Sequence, residues 1–188
     1  MSARRLYRRS LAALVVLAPL ALWTASGDDF VEYRKKHAVV ETAVAAGATQ
    51  AYGGSDWRVD RYDVWAGQPP DAGNALTAQP AALPPGTRLV RVRIALRPTS
   101  NDAVKALSRC TLELVDARER RWNPSAVVPG VRHDVPTRCD GTFNNAPQIA
   151  QEFRFEQDFL VPEDAAGSID AVIRLNTEQP RRLRLRLR

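Results

Sequence analysis

Histidine, cysteine and lysine are scarce in this chain, and each scarcity removes a class of function. The two histidines, His37 and His133, and the two cysteines, Cys110 and Cys139, are too few and too scattered for a zinc site. Asp28-Asp29 and Asp140 lack the spacing that would supply six oxygens to calcium, and no EF-hand pattern is present. A Ser/His/Asp set can be assembled on paper from Ser125, His133 and Asp134. No Gly-x-Ser-x-Gly elbow surrounds the serine, so the set carries no catalytic assignment. Lysine is confined to Lys35, Lys36 and Lys105 among 27 cationic side chains. With abundant alanine, that bias reads as the codon usage of a GC-rich bacterium and not as arginine chemistry. The sequence therefore predicts no enzyme, no cofactor and no metal.

No apolar run reaches the roughly 20 residues that usually span a bilayer. The longest uncharged apolar stretch, Leu11 to Trp23, is 13 residues and follows Arg4, Arg5, Arg8 and Arg9. A basic flank before a short apolar core is the pattern of an export signal, with the arginines retained on the cytoplasmic side. Thr24-Ala25-Ser26 is a poor cleavage site, so the reading adopted is a retained signal anchor over residues 1–27. Cleavage and secretion stay open as the alternative. Arg8-Arg9 also permits a twin-arginine route. No cysteine follows the run, which argues against a lipoprotein anchor. The predicted location is the cell membrane, single-pass, N-terminus inside, with the remainder extracytoplasmic.

The formal net charge is +6, but four of those charges sit in the export segment. The remainder is nearly balanced, which disfavours nucleic acid as a partner. In an oxidising compartment Cys110 and Cys139 are expected to form a disulfide. Closing a loop of about 30 residues should stabilise the fold by about 3.6 kcal/mol on the chain-entropy account.

Residues 28–44 read as a membrane-proximal segment, either a helix or a stalk leading into a first strand. Residues 45–188 read as one all-β domain. Tyr52-Gly53-Gly54 marks a turn, and the apolar phase of Trp57, Val59, Tyr62, Val64 and Trp65 shifts near Arg61, predicting a bulge. Ala66 to Gly86, with Pro69-Pro70 and Pro84-Pro85, reads as a surface loop. Val90, Val92, Ile94 and Leu96 alternate with Arg91, Arg93 and Arg97 in the clearest strand, ended by Pro98. Cys110, Leu112 and Leu114 repeat the alternation before a polar turn, Asp116 to Arg120. Phe153, Phe155 and Phe159 mark a strand, as do Ile169 to Leu175 and Leu183 to Leu187. Without long amphipathic helices between them, these strands predict an antiparallel sandwich. Its core should hold Val90, Val92, Ile94, Leu112, Leu114, Phe153 and Phe155.

The order of elements resembles the exported immunoglobulin-like domain of actinobacterial membrane-anchored proteins near the DUF4352 or telokin-like group. Tyr52-Gly53-Gly54 through Trp57, Leu83 to Val92, Leu114 to Trp122 and Phe159 to Ala165 carry that resemblance, which covers roughly residues 45–188. It implies an immunoglobulin-like antiparallel β-sandwich and transfers no catalytic residue.

Two basic groups stand out. Arg118, Arg120 and Arg121 cluster beside Trp122, and Arg182, Arg184 and Arg186 stripe the last strand. They are the candidate interaction surface, with an envelope protein or an anionic lipid or polymer as partner. The competing reading is a solvated outward face that discourages edge-to-edge aggregation. Trp57 and Trp65 could form a ligand platform, but large aromatics in a small sandwich are more often core. The expected function is a non-catalytic, membrane-anchored extracytoplasmic domain that binds or scaffolds another envelope component. A cleaved ligand-binding module is the alternative, and an envelope enzyme the remaining one.

Overall fold

The computed structural model describes residues 39–67, 83–125 and 135–188. The export segment, His37, His133, Asp134, Asp28-Asp29 and Pro69-Pro70 lie outside the described residues. Val39–Arg188 forms one compact unit.

Among the described residues nine strands make two facing sheets. The first sheet has the order β1-β9-β8-β5-β6, built from β1 (Val40–Val44), β9 (Arg181–Arg186), β8 (Ile169–Leu175), β5 (Cys110–Asp116) and β6 (Arg121–Trp122). The second runs β2-β3-β4-β7, from β2 (Gln50–Tyr52), β3 (Ser55–Trp65), β4 (Thr87–Pro98) and β7 (Phe153–Pro162). The chain is an all-β sandwich. Its pairings are antiparallel except for β1 with β9, which are parallel, Val40 facing Arg181 and Val44 facing Leu185. The sequence pattern implied no parallel pair. Val40–Val44, read as the end of the membrane-proximal segment, is the strand that opens the first sheet.

Alternation decides which side chains meet between the sheets. Val90, Val92, Ile94 and Leu96 of β4 and Phe153, Phe155 and Phe159 of β7 join Leu112 and Leu114 of β5 in one buried cluster. Trp57 is fully buried there, and its indole N–H donates to the Tyr52 carbonyl at 2.9 Å. The register of β3 against β4 slips between Val59 and Arg61, the bulge that the phase shift predicted. Gly53 and Gly54, both at positive φ, close the β2–β3 hairpin. A Cβ on Gly53 would lie 2.1 Å from Leu175 Cδ1, so the hairpin is pressed against the other sheet. The Tyr52 hydroxyl clips the same place: it donates to the Arg181 carbonyl at 2.8 Å and accepts from the Leu175 N–H at 3.3 Å. Its burial pushes the phenol pKa up.

Between β4 and β5 the chain forms a short helix α1 (Asn101–Ala106) and a single 3-10 turn, Leu107–Arg109. Ser100 caps α1, its hydroxyl accepting from the Ala103 N–H at 3.2 Å. The helix was not predicted. It seals one end of the sandwich with Ala103 and Leu107, both buried.

Ser125, shortly after β6, and Pro136 both lie against the free edge of β7. The Ser125 N–H donates to the Asp158 carbonyl at 2.7 Å, and the Glu156 N–H to the Pro136 carbonyl at 2.9 Å. At those two points the edge groups of β7 are met by described residues outside any strand. Cys139 then bonds to Cys110 at a Cα separation of 6.0 Å. This disulfide ties the segment along the second sheet to the first residue of β5 in the first sheet.

Candidate interaction surface

One member of the hairpin cluster, Arg121, shares a face with the stripe of the last strand, whereas Arg118 and Arg120 turn to Asp164. Residues opposite one another across β5, β8, β9 and β1 share a side of the sheet, which sets Glu113 beside Val172 and Arg184, and Arg182 beside Glu41. The β5–β6 hairpin supplies Glu119, at a φ of 61°, to the same face. Its carboxylate lies 2.9 Å from Arg184, 3.8 Å from Arg182 and 3.9 Å from Arg121. Glu119 thus joins Arg121 of the hairpin to the strand stripe. The sequence reading treated those as separate groups.

The joined face is charge-compensated. Arg184 donates to Glu41, Glu119 and Asp170 at 3.2, 2.9 and 2.8 Å. Burial acts to lower its pKa, yet these three carboxylates more than offset it and hold the guanidinium above its ordinary value. Arg182 is buried and pairs with Glu41 at 2.5 Å. Arg121 reaches Glu113 at 3.3 Å, and Arg174 pairs with the same carboxylate. Val115 and Val172 lie fully buried within this side of the sheet. Among the arginines of this face, only Arg186, exposed near the end of β9, has no ion pair among the described residues.

The hairpin itself is built on Asp116. Its carboxylate accepts from the N–H groups of Arg118 and Arg120, both at 2.9 Å, and from Arg120 Nε at 2.7 Å. Desolvation acts to raise the Asp116 pKa, but these donors win and leave it below the ordinary value. Arg120 also bonds Asp164 at 2.9 Å and stacks 5.5 Å above the Trp122 ring. Trp122 is therefore half-buried and already partnered, and Arg118 is the most exposed member of the cluster. Its side chain is 75% exposed and 3.5 Å from Asp164.

The outer side of the second sheet follows the same logic. Arg91 bonds Asp158 at 2.8 Å and lies 5.5 Å from the Trp65 ring centroid. Arg93 pairs with Glu156 at 2.6 Å. Arg91, Glu156 and Asp158 are all buried, so a residue that faces outward here is not a residue in water. Trp57 is core and Trp65 half-buried, leaving no aromatic platform at Trp57. Asp140 is taken by Arg138 in a two-point contact at 2.8 and 2.7 Å, which lowers its pKa against the opposing effect of burial. Among the described residues no cluster of acidic, histidine or cysteine side chains could hold a metal ion.

No protein-family model matches the chain, and no curated protein matches it. Several solved structures are similar in backbone trace. One is an uncharacterized β-sandwich protein from Clostridium difficile, with 8% identity, a TM-score of 0.45, and coverage of 80% of this chain and 96% of that one. The yjhA protein from Bacillus subtilis has 11% identity and a TM-score of 0.44, covering 76% and 99%. MPT63, a secreted protein from Mycobacterium tuberculosis, has 10% identity and a TM-score of 0.44, covering 77% and 98%.

At the other end of the sandwich from the β5–β6 hairpin lies an open depression of about 550 Å3. Ser108, Arg109, Thr111, Arg174, Asn176 and Gln179 line it. Sequence reasoning missed it because its residues come from the turn before β5 and from the end of β8, which only the sheet register brings together.

Proposed function

We propose that the protein is a membrane-anchored, extracytoplasmic, immunoglobulin-like domain that binds or scaffolds another component of the cell envelope without catalysing a reaction. The observation that carries this reading is the Cys110–Cys139 disulfide, which crosses from one sheet to the edge segment of the other. Such a bond persists in an oxidising compartment, and it agrees with the basic-then-apolar pattern of residues 4–23. The immunoglobulin-like name rests on the two-sheet architecture and on the strand order that the sequence suggested. Recognition belongs to groups whose charge the fold has not already spent. Near the end of β9 this is Arg186, and beside the β5–β6 hairpin it is the exposed Arg118, which has only a share of Asp164 with Arg120.

The test is photo-crosslinking in intact producing cells, with a probe at Arg118 and separately at Arg186, followed by mass identification of the adducts. External protease is applied to parallel spheroplasts to establish the side of the membrane. A reproducible adduct with one envelope protein or polymer, on a domain open to external protease, supports the reading. A domain shielded from protease until the membrane is lysed overturns it.

A further inference from the structure

We propose that the end of the sandwich where β1 begins is a bilayer-docking surface. Phe143 and Ile149 enter the boundary between headgroups and acyl chains, and the depression beside Arg109 and Arg174 takes the phosphate of an anionic lipid. This inference rests on the membrane-anchored reading and adds which end of the domain meets the membrane.

The register gathers the relevant residues. Val40 at the start of β1 faces Arg181 at the start of β9, and Leu175 at the end of β8 faces Cys110 at the start of β5. The disulfide brings Cys139 to that same end, and the Ala150 N–H donates to the Pro98 carbonyl at the end of β4 at 2.8 Å. The segment between Cys139 and Ala150, which carries Phe143 and Ile149, is therefore tied down at both of its ends there.

Four large hydrophobic side chains are exposed among the described residues: Val39 at 55%, Val40 at 51%, Phe143 at 102% and Ile149 at 41%. All four belong to this one end. Single exposed hydrophobics need no explanation, but their confinement to one end of a domain otherwise covered in paired charges does. The Phe143 turn is also firmly built. Thr142 and Asn145 exchange two backbone hydrogen bonds, at 2.9 and 3.1 Å, with Phe143 at the tip. Gly141 is buried at a φ of 76°, with the Asn145 carbonyl oxygen 2.1 Å from where a Cβ would sit. From Gly141 to Gln151 there is no charged residue at all.

The cations complete the picture. Arg97 and Arg109 have no carboxylate partner among the described residues, and Arg97 donates to the Ala150 carbonyl at 2.9 Å. Arg109 and the Thr111 hydroxyl line the polar depression beside Arg174, which also pairs with Glu113, while the Ser108 hydroxyl donates to the Lys105 carbonyl and the Gln179 amide to Asn176; Arg109 is the cation left to meet a phosphate there. Apolar groups beside unspent cations match an anionic interface, where each nearby cation adds to binding and the apolar tips insert. Two inserted side chains alone bind weakly, and a second attachment is needed for a stable contact. The sequence supplies it. The apolar run ends at Trp23, and the intervening 15 residues reach at most about 50 Å before Val39, which lies at this end.

The experiment uses the full chain reconstituted into vesicles containing about one-third phosphatidylglycerol in phosphatidylcholine. Flotation is measured first, then amide hydrogen exchange, against the same chain held in an amphipathic polymer without lipid. The expected result is flotation with amides of 141–151 and 107–111 exchanging at least ~10-fold more slowly on the vesicles. Phe143→Ser and Arg109→Glu, both at exposed positions, should each remove most of that protection while the chain still floats. Flotation with unchanged exchange overturns the docking surface and leaves the anchor standing. No flotation overturns both. Protection that appears in the polymer and grows with protein concentration assigns the surface to a second copy of the chain and overturns the lipid assignment.

Discussion

Replacing both cysteines with alanine should lower the melting temperature of the oxidised protein by about 7–14 °C. The magnitude follows from the loop. Cys110 and Cys139 are 29 residues apart, and closing such a loop removes about 12 cal/mol/K from the unfolded chain, about 3.6 kcal/mol at room temperature. A domain of this size loses roughly 2–4 °C per kcal/mol. The native state should change little, because the segment before Cys139 is also held by the Glu156 N–H on the Pro136 carbonyl and the Gln157 amide on the Thr137 carbonyl. The effect therefore falls mainly on the unfolded state, where the entropic account places it. Calorimetry of oxidised wild type, reduced wild type and Cys110→Ala/Cys139→Ala gives the comparison. The reduced protein and the double variant should melt together, well below the oxidised form. A double variant melting within about 2 °C of oxidised wild type would refute the reasoning.

Three further outcomes follow from the packing. Trp57→Phe should cost about 1–3 kcal/mol, since it opens a gap in a fully buried site and leaves the Tyr52 carbonyl without its donor; urea titration measures it. Asp158→Ala should destabilise by about 1–3 kcal/mol because it removes the two-point contact of the buried Arg91 and leaves it Glu156 at 3.9 Å, and Arg91→Leu/Asp158→Leu should recover part of that in the same assay. Asp116→Asn should flatten the acid limb of stability. With its folded pKa held below the ordinary aspartate value by the Arg118 and Arg120 donors, Asp116 stabilises the fold above that ordinary value. The contribution disappears as pH falls through the lower folded pKa, so the wild-type and variant melting curves should converge in strong acid.

Period-two alternation was enough to reveal β4, β5, β7, β8 and β9, because each packs one apolar face into a single core. The slip at Arg61 was legible for the same reason: a bulge changes which residues point inward. Compartment chemistry made the cysteine pair readable. Helix α1 was hidden by its length, since six residues are less than two turns and show no period; its one local signal is Ser100 at the N-cap. Strand β1 was hidden because it lies at the sheet edge with one fully buried residue, Val44, and its partner lies far along the chain. The charged face was only partly legible. Alternation shows that Arg91, Arg182 and Arg184 point away from the core, but not that carboxylates on neighbouring strands cover them. Glu119 gave no signal in the sequence, because its role depends on where a hairpin folds over a sheet. Phe143 gave none either, as a lone aromatic between polar residues reads as nothing in particular.

The parallel pairing of β1 with β9 has a mechanical consequence. Load applied through the N-terminal side enters at Val40, beside Arg181, whereas load applied at the C-terminus enters beyond Arg186, at the opposite end of the same pair. Tension between the two termini therefore pulls the strands along each other in shear. The inter-strand hydrogen bonds and the Glu41 contacts to Arg182 and Arg184 bear that force together, not one after another as in a peeled hairpin. A domain tethered at one end and gripped at the other would meet stretching forces along its most resistant direction.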